Sequence, residues 1–398
     1  MEPDYHAQLK IARLLFDNHW LSHARQKCLS ALPAGAQTND EAGTLLRTIE
    51  DRLRDRSALN LSLDHAPITI LMDQECIIST LHFRHLESDL LKREAFRQGV
   101  YYIDIETSSQ CNRKCHYCPN SQNDRFSHNK FMDDAVFTSC MENLAAIGYS
   151  KDIHFVGFNE PLLYMANILD RIELASKLVP KSRIVIYTNG DYLEREDLNQ
   201  LIRVGSNEII ISVHLPPGKP YNDENIFSRI NKIAERLGTP IQPLRYEQNR
   251  QISARLVHNH IRILIYQLDY EQLGSNRAAT LENIGPNIGT RTAACLMPIY
   301  QFIVGHQGAV VPCCVMVSDD ERNAKYLMGN VGQAPSIFDI YCGADFVAWR
   351  RSLFNLAPKP APCQTCNTGA SLPLLNAPET YDPWQHLVSP PILDPVVL

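Results

Sequence analysis

From Gly99 onward, short apolar stretches of strand length alternate with runs of helix length, and this rhythm restricts the chain to few folds. Strand candidates are Tyr101 to Ile105, Asp152 to Gly157, Arg183 to Thr188 and Glu208 to Val213, with helix-like runs such as Asp133 to Ile147 and Ala166 to Leu178 between them. Strands separated by helices of this length imply right-handed β-α-β units and a parallel α/β sheet. The stretch from Pro240 to Tyr270 breaks the rhythm, because it is too short and irregular for two full β-α units.

The first strand candidate of this series runs into chemistry. Residues 111 to 118 read Cys-Asn-Arg-Lys-Cys-His-Tyr-Cys, a C-x3-C-x2-C spacing. An iron-sulfur cube held by Cys111, Cys115 and Cys118 would leave one iron without a protein ligand, the open position that a reactive cluster needs. A structural zinc would want a fourth ligand, and His116 lies between two ligands, poorly placed to close the same tetrahedron. Three unrelated buried thiols or a zinc knuckle are the alternatives that the spacing alone leaves open.

Twelve cysteines in 398 residues, behind a start (Met-Glu-Pro-Asp-Tyr-His) that lacks the order of a secretory signal, argue for metal ligation in a reducing cytoplasm rather than a disulfide scaffold. Cys28, Cys76, Cys140 and Cys342 stand in ordinary sequence and read as small buried hydrophobes. The balance of 38 basic against 44 acidic residues, scattered along the chain, predicts no nucleic-acid partner. No apolar run approaches 18 residues, so no membrane span is expected.

The three-cysteine spacing, with Tyr117 before the third cysteine, resembles the radical S-adenosylmethionine (SAM) superfamily. That resemblance implies a partial (β/α)6 TIM-like barrel with its site at the strands' C-terminal mouth, a 4Fe-4S cluster on Cys111, Cys115 and Cys118, and SAM on the open iron. It implies cleavage of SAM to a 5'-deoxyadenosyl radical that abstracts hydrogen. Gly157-Phe-Asn-Glu-Pro resembles the family's G-x-x-E-P motif, which assigns Glu160, with Asn159 beside it, to the SAM ammonium; Phe158-Asn159 replaces the expected second glycine. Tyr187-Thr-Asn-Gly190 resembles a stretch near the ribose and carboxylate, which brings in Thr188 and Asn189. Ser212 and His214, two apart on one strand face, are further candidates, as is Tyr117. A satisfied structural histidine is the competing reading of His214.

A second set of cysteines follows. Cys295, Cys313 in Gly308-Ala-Val-Val-Pro-Cys, and Cys363-Gln-Thr-Cys366 together resemble the shortened auxiliary-cluster module called a twitch domain, related to SPASM, and imply a second 4Fe-4S cluster with four protein ligands. A four-cysteine zinc is the alternative. Cys314 is an alternative ligand, a hydrogen donor or a packing residue. Gly274-Ser-Asn-Arg-Ala-Ala279 resembles an S-N-R-A-G stretch of relatives, which makes Arg277 a candidate for a substrate hydroxyl or carboxylate, against a structural salt bridge.

The expected organisation is a helical, tetratricopeptide-like region at 1–57, a linker with a strand and a helix at 58–98, the core barrel at 99–290, a small α+β twitch/SPASM-like domain at 291–370 and a Pro-rich tail at 371–398. One tetratricopeptide-like unit cannot bury its own face, so the N-terminal helices either pack on the barrel or dock a protein partner. The resemblance implies an oxidation of a small polar natural-product intermediate, with flavodoxin or ferredoxin as reductant. Modification of a ribosomally made peptide, or a non-enzymatic iron-sulfur scaffold or electron carrier, are the rivals.

Overall fold

In the computed structural model the described residues are 9, 13, 28–29, 41–54, 70–73, 76–78, 80–216, 218–354 and 357–368. Most of the tetratricopeptide-like region and the whole Pro-rich tail lie outside them; of the former, Glu41–Arg54 is a helix. Strands β1 (Ile70–Asp73) and β2 (Cys76–Ile78) form a small antiparallel pair. The helix expected in the linker runs over Asp89–Gly99.

One ten-stranded sheet organises the rest. Its strands are β3 (Tyr102–Ile105), β4 (Asp152–Phe155), β5 (Arg183–Thr188), β6 (Glu208–Ser212), β7 (Ile241–Glu247), β8 (Gln251–Leu256), β9 (Arg262–Leu268), β10 (Gln301–Val304), β11 (Ala309–Val311) and β12 (Gly329–Asn330). The spatial order is β12-β11-β10-β3-β4-β5-β6-β9-β8-β7, and the six from β10 to β9 are parallel. Each of the four expected strands is present, within two residues at its ends. The irregular stretch after Pro240 is a meander, in which β7 and β8 pair antiparallel and β9 turns back to join β6 in parallel.

The two faces of the parallel strands differ because successive side chains point to opposite sides. Ile103, Ile105, Ile153, Phe155, Ile184, Ile186, Ile209 and Ile211 enter the main core beneath the helices. The Asp134–Ala146 helix answers them with Phe137, Cys140, Met141 and Leu144, a spacing of three, one and three residues that keeps one stripe buried. Its start is fixed by Asp133, whose side chain accepts from the Ala135 N–H at 2.7 Å. The alternate residues face the other way: Tyr102, Asp104, His154, Tyr187 and Glu208 are polar or aromatic, while Val185 and Ile210 join Leu264 in a smaller apolar cluster. Asp104 and His154, paired across β3 and β4, are joined by a 3.0 Å hydrogen bond. Burial opposes the His154 charge, but Asp104 and Asp152 overrule it and hold its pKa up at about 9.

Strand β10 comes from the segment after residue 290, yet it is hydrogen-bonded to β3, so the sheet is continuous across that point. Residues 80–99 fasten the same two regions from outside. Lys92 pairs with Asp339 at 2.7 Å, and the Phe96 ring meets those of Phe302, Phe338 and Tyr341 at 5.1–5.3 Å. At Gly99 a Cβ would stand 2.3 Å from His82 Nε2 and 2.6 Å from the Tyr341 hydroxyl, so no side chain fits. Cys140 and Cys342 lie in the main core, and Cys28 is fully buried. No helix among the described residues is long and apolar enough to cross a membrane.

Candidate active site

The loop leaving β3 carries the first three cysteines to one end of the sheet. The Cys111 N–H donates to the Arg125 carbonyl at 2.9 Å, and the Cys118 N–H donates to the Cys115 carbonyl at 3.0 Å. The three thiols are electrostatic neighbours. Burial is the main cause that pushes Cys111 up to about 12 and Cys115 to about 11; Cys118 adds to both, and Cys115 adds to Cys111. Three neighbouring thiols, one buried and two half-buried, fit a polynuclear cation, which would stabilise all three thiolates at once. Among the described residues no three His, Cys, Asp or Glu side chains converge on a single ion; a cube assigns each thiolate its own iron. His116 turns out of this loop to meet Glu271 at 3.1 Å.

An acid that the motifs did not mark clamps the loop. Asp191 takes Arg113 in a two-pronged pair, Nε to Oδ2 and Nη2 to Oδ1, both at 2.7 Å, and accepts from Asn112 Nδ2 at 2.8 Å. Arg229 adds a contact at 2.9 Å. Asn189 Nδ2 donates to Asn112 Oδ1 at 2.7 Å, so the turn after β5 holds the cysteine loop through two side chains. The turn itself depends on Gly190, whose φ of 73° is left-handed.

Glu160 sits beneath this clamp, 2 % exposed. Its Oε1 accepts from the Thr188 hydroxyl at 2.6 Å and from the Leu162 N–H at 3.1 Å, while Oε2 accepts from the Asn189 N–H at 2.7 Å. Burial nevertheless raises its pKa to about 7, since no cation stands against it. Asn159 donates through Nδ2 to the Ser108 hydroxyl at 3.0 Å and leaves Oδ1 buried without a partner. The structure thus brings Glu160, Thr188 and Asn189 together, beside Cys111.

Tyr117 and His214 meet on the far side of the loop, hydroxyl to Nδ1 at 2.9 Å, and Tyr117 stacks on Tyr270 with ring centres 4.2 Å apart. Burial, reinforced by Arg113, drives the His214 pKa down to about 3, so the ring is neutral. Ser212, at the end of β6, bonds Tyr266 rather than this pair.

A second buried network lies on the other flank. Glu106, just beyond β3, accepts from Arg125 Nη1 at 2.6 Å, the Phe158 N–H at 2.8 Å and His306 Nδ1 at 3.1 Å, and Arg125 also pairs with Asp319. Burial alone would raise the Glu106 pKa; Arg125 and His306 reverse it to about 2. This explains Gly157, where a Cβ would stand 2.6 Å from Glu106 Oε1. Phe158, the residue in place of a second glycine, lies between two guanidiniums, Arg125 at 5.9 Å and Arg277 at 5.7 Å from its ring centre. Arg277 has a left-handed backbone (φ 51°) and a buried Nε without a hydrogen-bond partner. Sequence reasoning missed Glu106, Arg125, Asp191, His306 and Asp319. The polar residue alternating into β3 was the available signal for Glu106; nothing local marked the others.

Cys295, Cys313, Cys363 and Cys366 all belong to a second apolar cluster with Leu296, Met297, Val315 and Met316. The Cys366 N–H donates to the Cys363 carbonyl at 3.2 Å, and Gln301 Nε2 reaches Cys313 Sγ at 3.7 Å. Cys363 is pushed up by burial first and then by the other three thiols. Four such thiols fit a fully ligated cluster. Cys314 is half-buried at the edge of this group and hydrogen-bonds the Cys313 thiol.

Comparison with known proteins matches residues 105–237 to the radical SAM superfamily and residues 295–367 to an iron-sulfur cluster-binding domain, SPASM. The chain is 29% identical over 267 residues to an S-adenosyl-L-methionine-dependent 2-deoxy-scyllo-inosamine dehydrogenase from Niallia circulans, covering 67% of this chain and 92% of that protein. A GTP 3',8-cyclase from Chlorobaculum tepidum is 26% identical over 157 residues, 39% of this chain and 46% of the cyclase. Among solved structures, BtrN in complex with AdoMet and 2-DOIA aligns at 26% identity and a TM-score of 0.49, covering 67% of this chain and 93% of BtrN.

Proposed function

Because this chain belongs to the radical SAM superfamily and carries a SPASM-type cluster domain, we infer that it is a radical SAM dehydrogenase of a small polar natural-product intermediate, of the aminocyclitol kind. The observation that carries this reading is the pairing of an open three-thiol site beside Glu160 with a closed four-thiol site, on a chain similar over most of its length to a dehydrogenase of 2-deoxy-scyllo-inosamine. A three-thiolate 4Fe-4S cluster with SAM on its fourth iron supplies one-electron cleavage of SAM to a 5'-deoxyadenosyl radical.

The protein's own groups do the holding. We assign Cys111, Cys115 and Cys118 to the first cluster, and Cys295, Cys313, Cys363 and Cys366 to the second. Glu160 binds the SAM ammonium, and its carboxylate is kept pointing by Thr188 and the Asn189 N–H. Asn159, with its unpartnered Oδ1, offers a second acceptor. Neutral His214, Tyr117 and Ser212 line the opposite wall and present an uncharged surface to the adenosine. Arg277, with a free Nε over Phe158, faces substrate, and Cys314 packs beside the second cluster. The parallel strands curl as a partial barrel whose mouth holds this set. The oxygen-sensitive first cluster suits a reducing cytoplasm, with flavodoxin or ferredoxin as reductant.

Held by Cys295, Cys313, Cys363 and Cys366, the second cluster would supply an acceptor for one electron, so that a substrate carbinol giving up one hydrogen atom, one proton and that electron would leave as a ketone. The test is anaerobic reconstitution with iron, sulfide and SAM, followed by mass analysis with 2-deoxy-scyllo-inosamine and related aminocyclitols. We expect 5'-deoxyadenosine and a product two hydrogens lighter than its substrate. Absence of 5'-deoxyadenosine from a fully loaded protein would reduce it to an iron-sulfur scaffold.

A further inference from the structure

The second set of cysteines surrounds a cation. Arg291 is 5 % exposed. Its Nη1 donates to the carbonyls of Cys366 at 3.2 Å and Thr368 at 2.9 Å, and its main-chain N–H donates to the Gln364 carbonyl at 2.7 Å. These bonds fix the guanidinium against the turn that carries Cys363 and Cys366. Its Nε and Nη2 are buried and have no hydrogen-bond partner among the described residues. The groups this charge feels are Cys295, Cys366, Cys363 and Cys313, which is the whole proposed ligand set.

A buried guanidinium with two idle donors is expensive unless a negative group faces it. Carbonyl oxygens satisfy one end, and among the described residues the four thiols are the groups able to turn negative that act on this charge. Lys359 brings a second positive charge to the same place. It is 3 % exposed, its N–H donates to the Arg291 carbonyl at 3.0 Å, and Cys295 and Cys363 are among the groups it senses. A buried guanidinium with idle donors is better matched by four thiolates on a cluster than by four neutral thiols. Hydrogen bonds to sulfur and nearby positive charge both favour the reduced state of such a cluster.

We propose that Arg291 donates hydrogen bonds from Nε and Nη2 to the sulfur atoms of the second cluster and, with Lys359, raises its reduction potential so that it takes the electron released by substrate oxidation. Arg291 is a positioning residue in this role, with no contact to substrate. The proposal rests on the reading that Cys295, Cys313, Cys363 and Cys366 hold a cluster.

The experiment uses full-length protein reconstituted anaerobically with ferrous iron and sulfide. Potentiometric titration by electron paramagnetic resonance follows the transition that added SAM leaves unshifted. Wild-type iron of about eight per chain is the two-cluster expectation; about four, seen before any substitution is made, overturns the cluster reading itself. At full iron content, Arg291→Gln should lower the reduced-to-oxidised ratio at fixed potential at least about tenfold, or ~59 mV for a one-electron couple. Arg291→Lys, which keeps the charge and loses the fork, should shift it less. An unmoved midpoint in Arg291→Gln overturns the proposal. If that variant fails to load iron, Lys359→Gln decides, where a downward shift supports the charge argument and an unchanged midpoint overturns it.

Discussion

Burial raises the Glu160 pKa to about 7 although three donors, from Thr188, Leu162 and Asn189, converge on its two oxygens. Such a carboxylate is organised to be charged and lacks only a cation among the described residues, the place we propose for the SAM ammonium. Glu160→Gln should therefore weaken SAM binding by about 1.5–3 kcal/mol, the worth of a charge-assisted contact, with cluster iron unchanged. Calorimetric titration of loaded protein measures it, and unaltered affinity would remove Glu160 from the site. The sign of the pH effect follows from the raised value. The protonated acid cannot hold a cation, so wild-type affinity should be full above pH 7 and fall by up to about tenfold per unit below it. Glu160, Thr188 and Asn189 were legible from local motifs because each stands at a strand end in a recurring pattern. Asp191 was not, since its partner Arg113 lies 78 residues away and a lone acid after Asn-Gly reads as a solvated turn.

At the scale of elements, Asp191 is where the turn after β5 grips the cysteine loop. Asp191→Asn offers one acceptor oxygen in place of two and breaks the paired hydrogen bonds to Arg113, a loss of about 1.5–3 kcal/mol for charged bonds. The loop should loosen while the sheet stays intact. We expect iron of the first cluster to leave faster to a chelator, with the second cluster's iron retained, and wild-type loss rates would show that the loop holds its shape without the clamp. The parallel strands themselves were readable, since Tyr-Ile-Asp-Ile in β3 and Asp-Ile-His-Phe in β4 alternate a core residue with a polar one. The β7–β9 meander was obscured by its own chemistry. Pro243 sits within β7, which an edge strand tolerates, and Asn249 turns the chain with a left-handed φ of 56°. Both residues read as breakers when no pairing is known.

For the whole molecule, the decisive fact is that β10 pairs with β3, so the second cysteine set is built onto the sheet that carries the first. Four residues, Gln301-Phe-Ile-Val, carry no local mark of a partner 199 residues earlier, and a boundary near residue 290 was the reasonable expectation. The attachment has a further anchor. Arg350 is fully enclosed, donates to the Pro298 and His82 carbonyls at 3.1 and 2.8 Å, and lies 3.9 Å from the Tyr341 ring centre. The C-terminal region is thus held by strand pairing and by residues 80–99. This makes one double variant informative. Cys363→Ala with Cys366→Ala removes half the proposed ligands of the second cluster but touches neither β10 nor Arg350, so the protein should remain soluble with about four irons per chain. SAM cleavage with a strong chemical reductant should survive, because the three-cysteine loop, Asp191 and Glu160 are unaltered. Oxidised product should nearly vanish if the second cluster takes the substrate's electron. A region that depended on its cluster to fold would instead lose solubility and SAM cleavage together. Full product from the soluble double variant would leave the second cluster a structural staple and move the electron acceptor elsewhere.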